Sequence, residues 1–202
     1  MTPAPRACWA CGDAGAGLAL CAACGAVQPP GGAGCHFARL GLARRFGHTV
    51  EAIEAAHAAR MAEVHPDRFA RASAVERRFA AEHAAGLNDA LRTLAMPHSR
   101  LTYLLSVRGL DVGEAPLLRL RPSDADHMEL IELRAALGEL RGRDAAVERA
   151  RLARAVQERF EHLLFELGAV VDATPEDAPL PFAAGRVGHL HALRRLIDEV
   201  AG

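Results

Sequence analysis

The stretch from Thr49 to Ala95 reads TVEAIEAAHAARMAEV-HPDRF-ARASAVERRFAAEHAAGLNDALRTLA. Val50, Ile53, His57, Met61 and Val64 recur at steps of 3, 4, 4 and 3, which places them on one helical face. Thr49 sits where a hydroxyl can cap the first turn. Pro66 ends that helix at the residue before it, because a proline cannot donate to the ladder and crowds its neighbour. A second helix follows from about Ala72 to Ala95, carrying Val75, Phe79, Leu87, Leu91 and Leu94. The stretch therefore predicts an antiparallel helical pair with His65, Pro66 and Asp67 at its exposed tip. Those three residues alone describe only a stiff polar turn. His57, a lone histidine on an apolar face, reads as a packed side chain rather than a ligand.

Outward from this hairpin, the composition favours helix throughout. The 202 residues include 43 alanines and 26 leucines, with aromatic residues at only 4%. All 24 basic side chains are arginine, set against 10 Asp and 15 Glu, for a formal net charge of -1. The predicted class is all-α. Near-neutral charge argues against bulk capture of nucleic acid or anionic membrane. The absence of lysine excludes Schiff-base chemistry, a P-loop lysine and a lysine general base. No run of 18 apolar residues suggests a membrane helix. Met1 to Arg6 lacks the apolar core of a signal peptide, so the expected location is the cytoplasm.

Residues 1–36 differ from the rest. They hold all five cysteines, the single Trp and seven of the 18 glycines, with only Arg6 and Asp13 charged. Cys8-Trp9-Ala10-Cys11 and Cys21-Ala22-Ala23-Cys24 make two C-x2-C pairs, each followed by a glycine, Gly12 and Gly25. In a reducing compartment such clusters are metal ligands or redox thiols rather than disulfides. Four thiolates suit tetrahedral zinc, and so short a segment would draw its folding energy from the ion. With no position open for water, such a zinc is structural. Iron would use the same four sulfurs, and a redox-active C-x2-C pair is a third reading, although no βαβ context accompanies it. A nucleic-acid-binding ribbon is disfavoured by the single arginine near the cysteines. Cys35, in a Pro/Gly-rich linker, reads as a free thiol.

Downstream, Asp111 to Pro122 reads as a connector. Ser123 caps a helix whose first turn is acidic and which continues through Met128, Leu130, Ile131, Leu133, Leu137 and Leu140. Gly142 and Asp144 mark a break, and a long helix follows to about Val170. Thr174 to Pro181 forms a loop, and residues 184–200 a last helix. Three helices with short breaks predict an antiparallel bundle.

Several stretches together resemble a known family. Phe37, Leu40-Gly41-Leu42, His65-Pro66-Asp67-Arg68-Phe69 and Leu87-Asn88-Asp89-Ala90-Leu91 occur in order. Pro97-His98-Ser99-Arg100, Tyr103-Leu104-Leu105, Gly109 and Met128 to Arg134 follow. This chain resembles the HscB family, J-type co-chaperones of iron–sulfur cluster assembly, in its longer form with an N-terminal four-cysteine module.

The resemblance implies a metal module and linker over 1–34, a J-domain over 35–109, a connector over 110–122 and a scaffold-binding bundle over 123–202. It implies a protein with no catalytic centre of its own. His65, Pro66 and Asp67 would stimulate the ATPase of a DnaK/HscA-type chaperone, and Cys8, Cys11, Cys21 and Cys24 would hold zinc. An apolar patch on the first and last bundle helices would bind the iron–sulfur scaffold protein, with Met128, Ile131, Leu190 and Leu193 as candidates. The chain departs from the family where a J-domain carries a basic second helix. Residues 50–64 hold only Arg60, against Glu51, Glu54 and Glu63. Arg44, Arg45 and Arg68 then become the expected chaperone contacts. His127 and Ala192 also stand where the family places large apolar side chains. The alternative function is a cysteine-ligated iron protein for redox or electron transfer, with the helices as scaffold.

Overall fold

The structure is a computed structural model, and it describes residues 7–14, 19–31, 34–110, 123–140, 145–180 and 183–201. The fold is all-α, as the composition predicts. Among the described residues the α-helices are α1 (His36–Leu40), α2 (Val50–Val64), α3 (Ala74–Ala95), α4 (Pro97–Val107), α5 (Asp124–Glu139), α6 (Ala146–Ala173) and α7 (Ala183–Ala201). The only extended pairing among them is an isolated bridge between Leu20 and Val27. None of these helices is long and apolar enough to cross a membrane. The expected connector over 111–122 and the break at Gly142 and Asp144 lie outside the described residues.

Contacts divide the chain into two compact units, Met1–Arg44 with His48–Arg100, and Arg45–Gly47 with Leu101–Gly202. In the first, α2 and α3 pair across a short 3-10 turn, Pro66–Phe69, and α1 packs on α3. Phe37, Leu40, Ile53, Val64, Phe79, Leu87 and Leu94 form its core. Burying each large side chain contributes roughly 1.5–3 kcal/mol. α1 is short, with five residues. Gly41, in the left-handed region at φ 71, closes it with a Schellman turn: Leu42 N–H donates to the Phe37 carbonyl at 2.8 Å and Gly41 N–H to that of Ala38 at 3.1 Å. α3 starts at Ala74 rather than Ala72, because Ser73 forms a capping box with Glu76.

In the second unit α6 packs on α7, and α5 lies against both. The bundle core is Leu130 and Leu137 from α5, Phe160, Leu163 and Leu167 from α6, and Val187, Leu193 and Leu196 from α7. Phe46, also buried, belongs to this unit.

Candidate functional site

Three groups of residues stand out, and each is built by local chemistry. The first is the turn between α2 and α3. His65 breaks α2 with extended geometry, and Pro66 opens the 3-10 turn, where a missing N–H costs nothing. The His65 Nδ1 accepts the Asp67 backbone N–H at 3.3 Å, so the tripeptide folds on itself. The Asp67 side chain is 92% exposed and that of His65 49%. Both are presented to a partner on a backbone already fixed. Arg68 does more than offer charge. Its Nη1 donates to the Ala62 and Glu63 carbonyls at 2.5 and 3.2 Å, closing the C-terminal end of α2. Arg44 and Arg45 are exposed in the segment between α1 and α2. Arg60, the one cation on α2, pairs with Glu63 at 3.5 Å and lies where a side chain at Gly41 would run. The outer surface of α2 is therefore acidic to neutral.

The second group is the cysteine cluster. Two like turns build it. Gly12 N–H donates to the Cys8 carbonyl at 2.9 Å and Gly25 N–H to that of Cys21 at 2.8 Å. Both glycines have φ above 70°, which other residues resist. The turns bring all four sulfurs within 4.8 Å of one another. Cys8 and Cys24 sulfurs lie 3.7 Å apart, and those of Cys11 and Cys21 3.8 Å. A tetrahedral ion with bonds of about 2.3 Å needs sulfurs about 3.8 Å apart, so the set fits one metal.

The thiols do not ionise alike. Burial pushes Cys8 up, but backbone N–H groups of Cys11 and Ala10, the Cys11 thiol and Gln28 outweigh it and hold Cys8 at about 6. Against the lowering by the Asp13 backbone, the Cys24 thiol, burial and the Cys8 and Cys21 sulfurs push Cys11 up to about 12. Cys24 is raised too: the Ala26 backbone and Cys11 favour its thiolate, but burial, Cys21 and Cys8 prevail. The Cys8 thiolate forms readily while those of Cys11 and Cys24 are resisted, and a divalent cation would favour all the bound thiolates together.

The cluster is fastened to α3. Trp9 Nε1 donates to the Val27 carbonyl at 2.7 Å, and the Trp9 ring meets Phe79 edge-on at 6.0 Å. His83 Nε2 donates to the Gln28 carbonyl at 2.9 Å, while Gln28 Nε2 donates to Cys8 Sγ at 3.2 Å. These contacts were not foreseen. The signal available was a Trp in a segment with no core, whose ring must find cover elsewhere.

The third group is on α5. Met128 and Ile131 are 54% and 47% exposed, whereas Leu130 and Leu137 face the bundle. The helix is apolar on two faces, and the bundle uses only one. Leu190 and Leu193, predicted to share the patch, are only 1% and 0% exposed. They belong to the core, because their face of α7 packs into the bundle. Ala192 is buried and His127 exposed.

No protein-family model matches the chain. It is 36% identical over 165 residues to a co-chaperone protein HscB homolog of Cupriavidus taiwanensis, covering 82% of this chain and 90% of the relative. A Burkholderia multivorans protein of the same description is 34% identical over 169 residues, covering 82% and 91%.

This chain belongs to the HscB family of co-chaperones.

Its fold agrees with solved HscB structures. The human co-chaperone HscB matches with a TM-score of 0.80 at 20% identity, covering 97% of each chain. Chaperone HscB from Vibrio cholerae matches with a TM-score of 0.64 at 27% identity, covering 83% of this chain and 96% of its own. Within the HscB family, this chain thus pairs an exposed His-Pro-Asp turn with a four-sulfur cluster and a non-basic α2.

Proposed function

We propose that this HscB-family chain serves iron–sulfur cluster assembly as an adaptor between two partners, in the cytoplasm. His65, Pro66 and Asp67 engage a DnaK/HscA-type ATPase chaperone, with Arg68 next to the turn and Arg44 and Arg45, which precede α2, as further cationic contacts. Met128 and Ile131 on α5 take the scaffold protein that carries the cluster. The observation that carries the reading is the exposed His-Pro-Asp turn, stiffened by Pro66 and by the His65–Asp67 hydrogen bond, in a chain of HscB ancestry. A turn ordered before docking loses little entropy on binding. Hydrolysis takes place in the partner. This chain speeds it by binding the chaperone's hydrolysis-competent state more tightly than the other. With α2 short of cations, these three arginines govern encounter rate and choice of chaperone.

The metal is structural zinc, held by Cys8, Cys11, Cys21 and Cys24. When bound, it cross-links the two turns. Iron in the same four sulfurs is the alternative, and it would make the module an electron carrier. An aerobically purified sample that is colourless and holds one zinc per chain overturns the iron reading.

The decisive test is single-turnover ATP hydrolysis by the cognate chaperone with the scaffold present. Wild type accelerates the turnover, and His65→Gln does not. Equal stimulation by the two proteins would sink the proposal.

A further inference from the structure

The bundle contains a second cluster of metal-ligating side chains, far in sequence from the cysteines. Asp126 and Glu129 are three residues apart at the start of α5, so both carboxylates lie on one helical face. That face meets His189 of α7, whose side chain is 0% exposed. Glu129 Oε2 lies 3.2 Å from His189 Nε2, and Asp126 Oδ1 3.8 Å from His189 Nδ1. One ligand atom from each residue can be chosen so that all lie within 4.8 Å of one another.

Two features mark this as more than an acidic group at a helix start. First, neither ring nitrogen of His189 has a hydrogen bond of good geometry, although both are buried. Buried polar nitrogens of this kind are rare without a reason. Second, each carboxylate has one oxygen held and the other turned toward the ring. Ser123 Oγ donates to Asp126 Oδ2 at 2.7 Å, and Arg159 Nε donates to Glu129 Oε1 at 2.7 Å. Outer partners that orient ligands in this way are usual around bound metals.

We propose that Asp126, Glu129 and His189 form a second divalent-cation site, separate from the four cysteines and joining the first helix of the bundle to the last. One imidazole nitrogen with two carboxylate oxygens suits a borderline ion such as Zn2+ or Co2+ rather than a soft one. Asp126 and Glu129 keep 17% and 31% side-chain exposure, which leaves the ion a way in. The remaining charges near the site are paired: Arg159 with Glu129, and Arg186 with Glu166 at 2.7 Å. A proton on His189 is the competing occupant, since an imidazolium would also satisfy two carboxylates.

The test uses the full chain with its cysteine site already filled by one equivalent of Zn2+, titrated with Co2+. The expected result is one further Co2+ per chain, with weak visible d–d bands and no sulfur-to-cobalt charge transfer. His189 ring signals in 1H–15N spectra broaden at the same stoichiometry. Asp126→Asn and Glu129→Gln each weaken this second binding at least tenfold and leave the cysteine-bound zinc in place. Both side chains are partly exposed, so these variants remain informative even if His189→Gln fails to fold. A titration that ends with no second equivalent overturns the site and leaves the proton as its occupant. Binding that survives unchanged in both carboxylate variants overturns it equally.

Discussion

The ring of Phe46 fills the space where a side chain at Gly168 would project. Two further contacts hold it there. Asp172 accepts the backbone N–H of Phe46 at 2.6 Å and that of Gly47 at 2.8 Å, and Phe165 meets the Phe46 ring edge-on at 5.7 Å. A glycine deep in a 28-residue helix is thus explained by an aromatic side chain 122 positions earlier. Phe46→Ala is expected to cost about 3–5 kcal/mol through the lost ring and the cavity. Gly168→Ala costs about 1–3 kcal/mol by overpacking. The double variant should cost less than the sum, since the smaller residue at 46 makes room for the new methyl. Urea denaturation of the four proteins checks this, and strict additivity would contradict it.

Removing the metal should change the environment of Trp9, the only tryptophan. Trp9 lies between two ligands, Cys8 and Cys11, and its ring rests against Phe79 of α3. Four uncompensated thiols cannot hold the two turns together, so a chelator is expected to unfold the module and shift Trp9 emission to the red. Metal analysis should find the ion of the cysteine site among what the chelator removes. An emission spectrum indifferent to chelation would show that the turns stand without metal.

The hairpin, the cysteine turns and the three bundle helices were legible because they follow from local rules: spacing, caps, proline and paired cysteines. What stayed hidden depends on partners distant in the chain. Nothing near Phe46 points to Gly168 or Asp172. Likewise, Arg108 reaches the carbonyls of Val171, Pro175 and Ala178 beyond the end of α6, a role no sequence pattern announces. Leu190 and Leu193 were misplaced for the converse reason. An apolar residue on an amphipathic helix reads the same whether it faces a core or a partner, and only burial separates the two. The expected start of α3 near Ala72 misses by two residues, because the signal that fixes it is the capping pair Ser73 and Glu76, three positions apart.

The first unit should lose stability as the solution turns acidic, with His36 contributing. Burial pulls the His36 imidazole below its ordinary range, Arg39 of the same helix adds to this, and Asp89 of α3 opposes it. The folded chain therefore holds His36 uncharged, while the unfolded chain takes up a proton near pH 6.5, at about the ordinary imidazole value. The unfolded state binds more protons below that point, so this contribution is complete above about pH 6.5 and is lost as the pH falls toward the lowered folded value. Denaturant midpoints compared between pH 7.5 and 5.5 should fall more for wild type than for His36→Gln. Parallel curves would remove His36 from the account.

Arg68 should act on both stability and stimulation, unlike His65. Its side chain closes the end of α2 through two carbonyls, and those carbonyls can turn to water if it is lost. Arg68→Ala is therefore expected to cost no more than about 1 kcal/mol. It also loosens the turn that presents His65, so a higher concentration of the variant is needed to stimulate the chaperone. His65→Gln should lose stimulation at every concentration with stability nearly unchanged. Identical concentration curves for wild type and Arg68→Ala would reduce Arg68 to a bystander.

The exposed face of α5 makes the last separation possible, between a residue that binds and one that only folds. Met128 and Ile131 protrude while Leu190 is enclosed. Replacing both exposed side chains with serine removes little that the bundle uses, so stability should stay within about 0.5 kcal/mol per site. Leu190→Ala, by contrast, empties part of the core and is expected to cost about 2–5 kcal/mol. Calorimetric titration with the cognate scaffold should show the serine pair weakened at least tenfold. Leu190→Ala, below its unfolding temperature, should bind nearly as wild type does. If Leu190→Ala weakens binding as much as the serine pair while remaining folded, then the scaffold reads the packing of α7 and the contact surface is not the outer face of α5.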